Sequence, residues 1–153
     1  MRTCRTDETA FTLLEVVVVV CVLALAAGLV LARVGDPGAL AVEAAATDLA
    51  ATINLTRERA ILGGRPLRLA LDLDTGRFTV SGANAPEERA ALPPRVRVRR
   101  VTAGDTSYAA GVVGLDFDPA GDALPARIAL GDDHGHRATV TVPPATGRAV
   151  VER

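Results

Sequence analysis

The sequence has no lysine and no tryptophan, only one tyrosine and three phenylalanines, and two cysteines among 153 residues. So few aromatics leave no stacking platform for bases or sugar rings. Cys4 lies in a polar N-terminal segment and Cys21 in an apolar run. Neither can staple the remainder of the chain, so no structural disulfide is available there. All 17 basic residues are arginine, set against 18 acids, and the net charge of −1 gives no general attraction to nucleic acid or acidic lipid. Catalytic signatures are also missing. There is no G-x-S-x-G, no H-E-x-x-H and no phosphate-cradling loop, and Gly63-Gly64 reads only as a helix stop. The chain therefore reads as a non-enzyme, with no catalytic residue, no metal site and no cofactor to name.

What the sequence does contain is one long apolar run. Between residues 11 and 32 the only charge is Glu15 and the only other polar side chain is Thr12. As a helix those residues would reach roughly 33 Å, enough for a hydrocarbon core of about 30 Å. Arg33 ends the run. An acid inside a membrane helix costs on the order of 2.5–3.5 kcal/mol near the centre and less near the end, so Glu15 calls for a function or a partner. Three readings are open at this point. The run is a pilin-type signal and filament helix, a plain transmembrane anchor, or the h-region of a secretory signal with small residues at Ala24-Leu25-Ala26 or Leu31-Ala32.

The segment Ala10-Phe11-Thr12-Leu13-Leu14-Glu15 resembles the class III signal of type IV pilins and type II secretion pseudopilins. The resemblance implies a leader of residues 1–10, cleavage by a prepilin peptidase between Ala10 and Phe11, and N-methylation of Phe11. It further implies that Glu15, the fifth residue of the mature chain, neutralises the Phe11 amine of a neighbouring subunit in a filament core. A free α-amine has a pKa of about 8 and is mostly a cation at neutral pH. Phe11 and Glu15 also lie one helical turn apart, so a pair within one chain is equally open. Two residues depart from the pattern: Ala10 stands where glycine is usual, and Arg2 and Arg5 are offset by Asp7 and Glu8 in a leader that is usually basic.

After a breaker cluster at Val34-Gly35-Asp36-Pro37-Gly38, residues 39–62 are strong helix formers. Val42, Ala46, Leu49, Ile53, Thr56 or Arg57, and Ala60 place one apolar stripe on that helix, and Gly63-Gly64 ends it. The cluster should interrupt or kink the helical path. Beyond it the period changes to two. Strands are expected at 67–73, 77–80, 95–101, 112–118, 127–130, 136–142 and 148–151, with loops at 81–94 and 102–111 and turns at Asp74-Thr75-Gly76, 119–122 and 132–135. The sum is an α+β chain: a long N-terminal helix packed on an antiparallel sheet or sandwich, with a leader at 1–10, a span at 11–33 and a head at 34–153 that is β-rich over 66–152.

The run from Asp48 to Leu67 is similar to the helix-to-first-strand segment of the GspH/FimT minor pseudopilins. So are Leu115-Asp116-Phe117-Asp118-Pro119-Ala120-Gly121, the later Ile128-Ala129-Leu130 and the closing Thr146-Gly147-Arg148. This likeness implies a pilin-like fold and a subunit of the type II secretion pseudopilus. It would sit in the inner membrane as a single-pass protein with its head in the periplasm. The implied partners are the other pseudopilins, the prepilin peptidase and methylase, and the inner-membrane assembly platform. The alternatives are a FimT-like type IV minor pilin that primes pili or takes up DNA, and an exported soluble binding module released by signal peptidase. Relatives implicated in DNA uptake carry Gly-Arg-x-Arg near the C-terminus. Here Gly147-Arg148-Ala149-Val150 has valine at the last position, which counts against nucleic acid.

Three side-chain clusters have competing readings. Asp132, Asp133, His134 and His136 form a hairpin turn or part of a metal site without a third, distant ligand. Asp116, Asp118 and Asp122 provide turn chemistry or calcium oxygens, without EF-hand spacing. Arg95, Arg97, Arg99 and Arg100, three of them on one strand face by strict alternation, protect a sheet edge or bind phosphate. In each case the first reading is preferred.

Overall fold

The computed structural model describes residues 13–33, 36–82, 87–144 and 146–152. The chain divides into two compact units, 1–35 and 36–153. The first contains α1 (Leu13–Arg33), which is apolar on every side: Leu13, Val17, Val20, Leu23 and Leu25 are all exposed. Among the described residues no helix is long and apolar enough to cross a membrane. Phe11 and Thr12, the first residues of the expected span, lie outside those described.

The second unit is built on α2 (Pro37–Gly63). The Asp36-Pro37-Gly38 cluster, expected to break a helix, starts this one. Asp36 Oδ1 accepts the Gly38 N–H at 2.8 Å, and Pro37 occupies the first turn, where its missing N–H costs nothing. The far end closes with Gly64 in the left-handed conformation (φ 57°), while Arg65 N donates to the Ala60 carbonyl and Gly64 N to that of Ile61. Val42, Ala45, Ala46, Leu49, Ala50, Ile53, Thr56 and Ala60 are buried. Thr56, not Arg57, takes the ambiguous stripe position, its hydroxyl satisfied by the Thr52 carbonyl at 2.7 Å.

Among the described residues nine strands follow: β1 (Leu67–Asp72), β2 (Arg77–Gly82), β3 (Glu88–Ala91), β4 (Arg97–Ala103), β5 (Thr106–Tyr108), β6 (Val112–Phe117), β7 (Ala126–Gly131), β8 (Arg137–Val142) and β9 (Val150–Glu152). They form two antiparallel sheets, ordered β3-β2-β1-β6 and β5-β4-β7-β8-β9. α2 packs against β1 and β6 of the first and β7, β8 and β9 of the second, so the helix and both inner faces share one apolar core. The α+β architecture matches the sequence reading. Two strands fall in segments expected to be loops. β3 is exposed at all four residues and pairs with β2 through its backbone, and β5 is exposed at all three, so neither leaves a hydrophobic alternation to read.

Candidate assembly site

At the base of the second unit, the hairpin between β7 and β8 closes on the start of α2. Asp132, only 6% exposed, organises the turn: its Oδ1 accepts the N–H groups of His134 (2.9 Å) and His136 (3.0 Å). Its Oδ2 lies 2.7 Å from Nδ1 of His136, whose Nε2 is 3.2 Å from Oδ2 of Asp36. One imidazole thus bridges two carboxylates from different elements. A neutral ring can donate to only one of them, whereas the imidazolium donates to both. The hydrogen bond to Asp132 raises the His136 pKa, helped by the negative charges of Asp132 and Asp36 and opposed by burial. In turn, the His136 hydrogen bond holds Asp132 down to about 2, again against burial. Gly38 allows this approach, because a Cβ there would stand 2.9 Å from Asp132 Oδ2 and 3.0 Å from His136 Nδ1.

Arg99 completes the clamp from β4, donating to the Asp132 carbonyl and to Asp133 Oδ1 at 3.1 Å. It sits at a β-bulge where the β4–β7 register shifts between Val98 and Arg100. Strict alternation would put Arg95, Arg97 and Arg99 on one face and Arg100 on the other. The bulge overturns that: Arg97, Arg99 and Arg100 are exposed together while Val98 and Val101 are buried. β4 also differs from the expected edge strand. β7 pairs with it on one side and β5 covers Val101 to Ala103 on the other, leaving the Arg97–Arg100 half open on that side among the described residues.

A second joint lies farther along α2. Asn54 Nδ2 donates to the Ala149 carbonyl at 3.1 Å, and the Ala149 N–H returns to Asn54 Oδ1 at 2.8 Å. Three residues later, Arg57 Nε donates to the Gly121 carbonyl at 2.9 Å. Gly147, at φ +60°, packs against the same carbonyl, which an added Cβ would meet at 2.8 Å. These contacts fasten the closing segment to the helix.

Of the residues singled out in the sequence, Ala10 and Phe11 lie outside the described residues. Glu15 stands in the first turn of α1. Asp118 Oδ1 caps its own turn by accepting from Ala120 N (2.9 Å) and Asp122 N (3.0 Å), and Asp116 faces Arg68 at 3.5 Å. Among the described residues no group of three or more His, Cys, Asp or Glu is placed to hold a metal ion. The clamp role of Asp36 and the joints at Asn54 and Arg57 were missed. Asp-Pro at a helix start is a readable N-cap signal, but the partners of Asn54 and Arg57 are 95 and 64 residues away, and no local pattern encodes them.

Residues 45–146 match the family described as type II transport protein GspH. The chain belongs to that family. Among solved structures, the minor pseudopilin EpsH from the type 2 secretion system of Vibrio cholerae is similar, with a TM-score of 0.57 at 15% identity, covering 72% of this chain and 95% of that one. The type IV minor pilin FimU of Pseudomonas aeruginosa is similar too, with a TM-score of 0.55 at 17% identity over 73% of this chain and 88% of that one. At such identities the likeness concerns the fold. No curated protein matches by sequence. The α2 spine and both sheets, up to the turn before β9, therefore lie within or against a GspH match that begins at Ala45.

Proposed function

We propose that this GspH-family chain is a minor pseudopilin of a type II secretion system. The observation that carries the reading is α1: an all-round apolar helix with a single acid, Glu15, in its first turn, preceding a head of this family. In the reading, residues 1–10 are a leader cut between Ala10 and Phe11, and the Phe11 amine is methylated. Residues 11–33 anchor the subunit in the inner membrane with the head in the periplasm. The helix then leaves lipid for the filament core, where small and apolar side chains pack and Glu15 compensates the amine of a neighbouring subunit. Other pseudopilins, the peptidase and methylase, and the assembly platform are the partners. The protein acts by assembling and performs no catalysis of its own.

A second reading, a type IV minor pilin, is supported by the almost equal likeness to FimU. The two share processing and anchoring and differ in the machine they join. Mass analysis of the N-terminus tests what is common: a start at N-methyl-Phe11 is expected, and a start near Ala27 or Arg33 would remove both. Co-purification from cells, with type II pseudopilins or with type IV pilins, separates them. Glu15→Leu should insert normally but fail to co-purify with either; unchanged recovery of partners would defeat the assigned role of Glu15.

A further inference from the structure

The bulge in β4 leaves Arg99 and Arg100 consecutive and both exposed. Arg99 is laid across the neighbouring strand. Its Cγ and Nε would meet a Cβ on Gly131 at 3.4 Å, and its guanidinium donates to the Asp132 carbonyl just beyond. The bare backbone at 131 is what lets this side chain lie flat on β7, held at its far end before any ligand arrives. Bulges often re-aim a side chain beside a functional site in this way. Arg137 of β8 is the cross-strand partner of the same glycine, and Arg100 is the partner of Ala129, two residues back along β7. Sheet spacing puts the backbones of Arg100 and Arg137 roughly 12 Å apart, with Arg99 between them and only the Ala129 methyl group beside it on β7.

Arg99, Arg100 and Arg137 line one depression of about 500 Å³ together with Asp132, Asp133 and His136. Its charges do not cancel. Asp132 is engaged by His136 at 2.7 Å, and Asp133 meets Arg99 at 3.1 Å with its side chain 72% exposed. An ion pair so open to water is weak and exchanges readily. Among the described residues, no ion pair or hydrogen bond engages the side chains of Arg100 or Arg137. With the His136 ring protonated, the lining sets four cations against two carboxylates, an excess of two positive charges. Like charges gathered in one concavity focus the field on whatever anion enters it.

The chemistry of the lining narrows that anion. Guanidinium forks match pairs of oxygens on a phosphoryl group, and a dianion balances the excess that a single carboxylate would leave half met. The depression is far larger than the phosphoryl group alone and falls in the size range of small-molecule sites, which leaves room for a carrier. No aromatic side chain lines it, so a base has nothing to stack on. We propose that the depression between β4, β7 and the β7–β8 hairpin binds a phosphoryl dianion, free or carried on an aliphatic or sugar group, with Arg100 and Arg137 as its free forks and Arg99 as the preset third. The site lies wholly within the second unit, so it stands whether or not the chain is anchored and processed as a pseudopilin.

The test follows the arginine Nε–Hε resonances of the full chain in maltoside micelles, in phosphate-free buffer near pH 7.5. Inorganic phosphate, glycerol phosphate, succinate and sodium chloride are titrated separately at matched ionic strength. Phosphate should shift Arg99, Arg100 and Arg137 saturably and leave Arg148, outside the depression, unmoved. Arg100→Gln/Arg137→Gln should weaken binding by about tenfold or more at an unchanged melting temperature, since both side chains are exposed. Asp133→Asn should tighten it several-fold by releasing Arg99 from its acid. Tighter binding of glycerol phosphate than of the free ion identifies a carried phosphoryl group as the ligand, and equal binding identifies the ion itself. Shifts no larger than those from chloride overturn the site, as does succinate binding as well as phosphate or a loss of affinity in Asp133→Asn.

Discussion

Asn54→Ala isolates the joint between α2 and the closing segment. The amide of Asn54 makes two hydrogen bonds with the backbone of Ala149, which is 4% exposed. Truncation deletes both and strands a buried N–H and a buried carbonyl, each costing about 1–3 kcal/mol. The sum, about 2–6 kcal/mol, is an upper bound. β9 is three residues long and, among the described residues, pairs only with β8, so the segment can peel away and return the Ala149 groups to water. The expected loss is therefore about 2–4 kcal/mol, against a typical total of about 5–15 kcal/mol for a domain. Denaturant melts of the purified protein measure the total, and hydrogen exchange locates it: amides of β9 and of Val140, its partner on β8, should speed up while the β4–β7 ladder keeps its protection. Leu55→Ala, at a 46% exposed position on the same helix, is the control and should move stability by less than about 0.5 kcal/mol. A loss below about 0.5 kcal/mol for Asn54→Ala with unchanged β9 exchange would show that the closing segment is held by something else.

The clamp makes stability depend on pH in two directions. His136 has a raised pKa, so its contribution is complete below about 6.5 and is lost as pH rises through the folded value; Asp132, lowered to about 2, contributes above its ordinary 3.8 and loses that as pH falls through about 2. Thermal melts from acid to alkaline pH should thus peak in mildly acidic buffer, and His136→Asn should flatten the alkaline arm; an unaltered arm refutes the bridge. Ile53→Ala opens a cavity at a position with no exposure and should cost about 2–5 kcal/mol in urea melts. Gly147→Ala forces a Cβ to within 2.8 Å of the Gly121 carbonyl at positive φ and should lower the melting temperature, whereas Gly64→Ala, also at positive φ but with nothing within 4 Å, should lower it less. Equal effects would mean that backbone strain alone decides the outcome.

The spine and the core strands were legible because their apolar periods are strong. The stripe from Val42 to Ala60 and the alternation Leu67, Leu69, Leu71 survive into the structure as buried residues. β3 and β5 were not, since pairing through backbone groups leaves no mark on side-chain polarity. The bulge at Arg99 escaped for a related reason: Arg-Val-Arg-Val-Arg-Arg-Val reads as plain alternation until the register with β7 shows an extra residue. At Asp36-Pro37-Gly38 the breaker residues interrupt the helical path as expected, and the same chemistry starts α2 two residues ahead of the expected position 39. On the reading proposed above, cleavage at the Ala10–Phe11 junction, which lies outside the described residues, and the role of Glu15 belong to processing and assembly.

The double duty of Asp36 has a mechanical consequence. A tug arriving along the backbone from the N-terminal side meets the head at this residue, whose two carboxylate oxygens grip the first turn of α2 and the β7–β8 hairpin respectively. Tension is thereby split between the helix and the sheet at the point of entry, and on the sheet side it passes through the imidazole bridge. Where that bridge carries its proton, the domain resists being unzipped from its spine; in alkaline surroundings the same tug begins to strip the hairpin first.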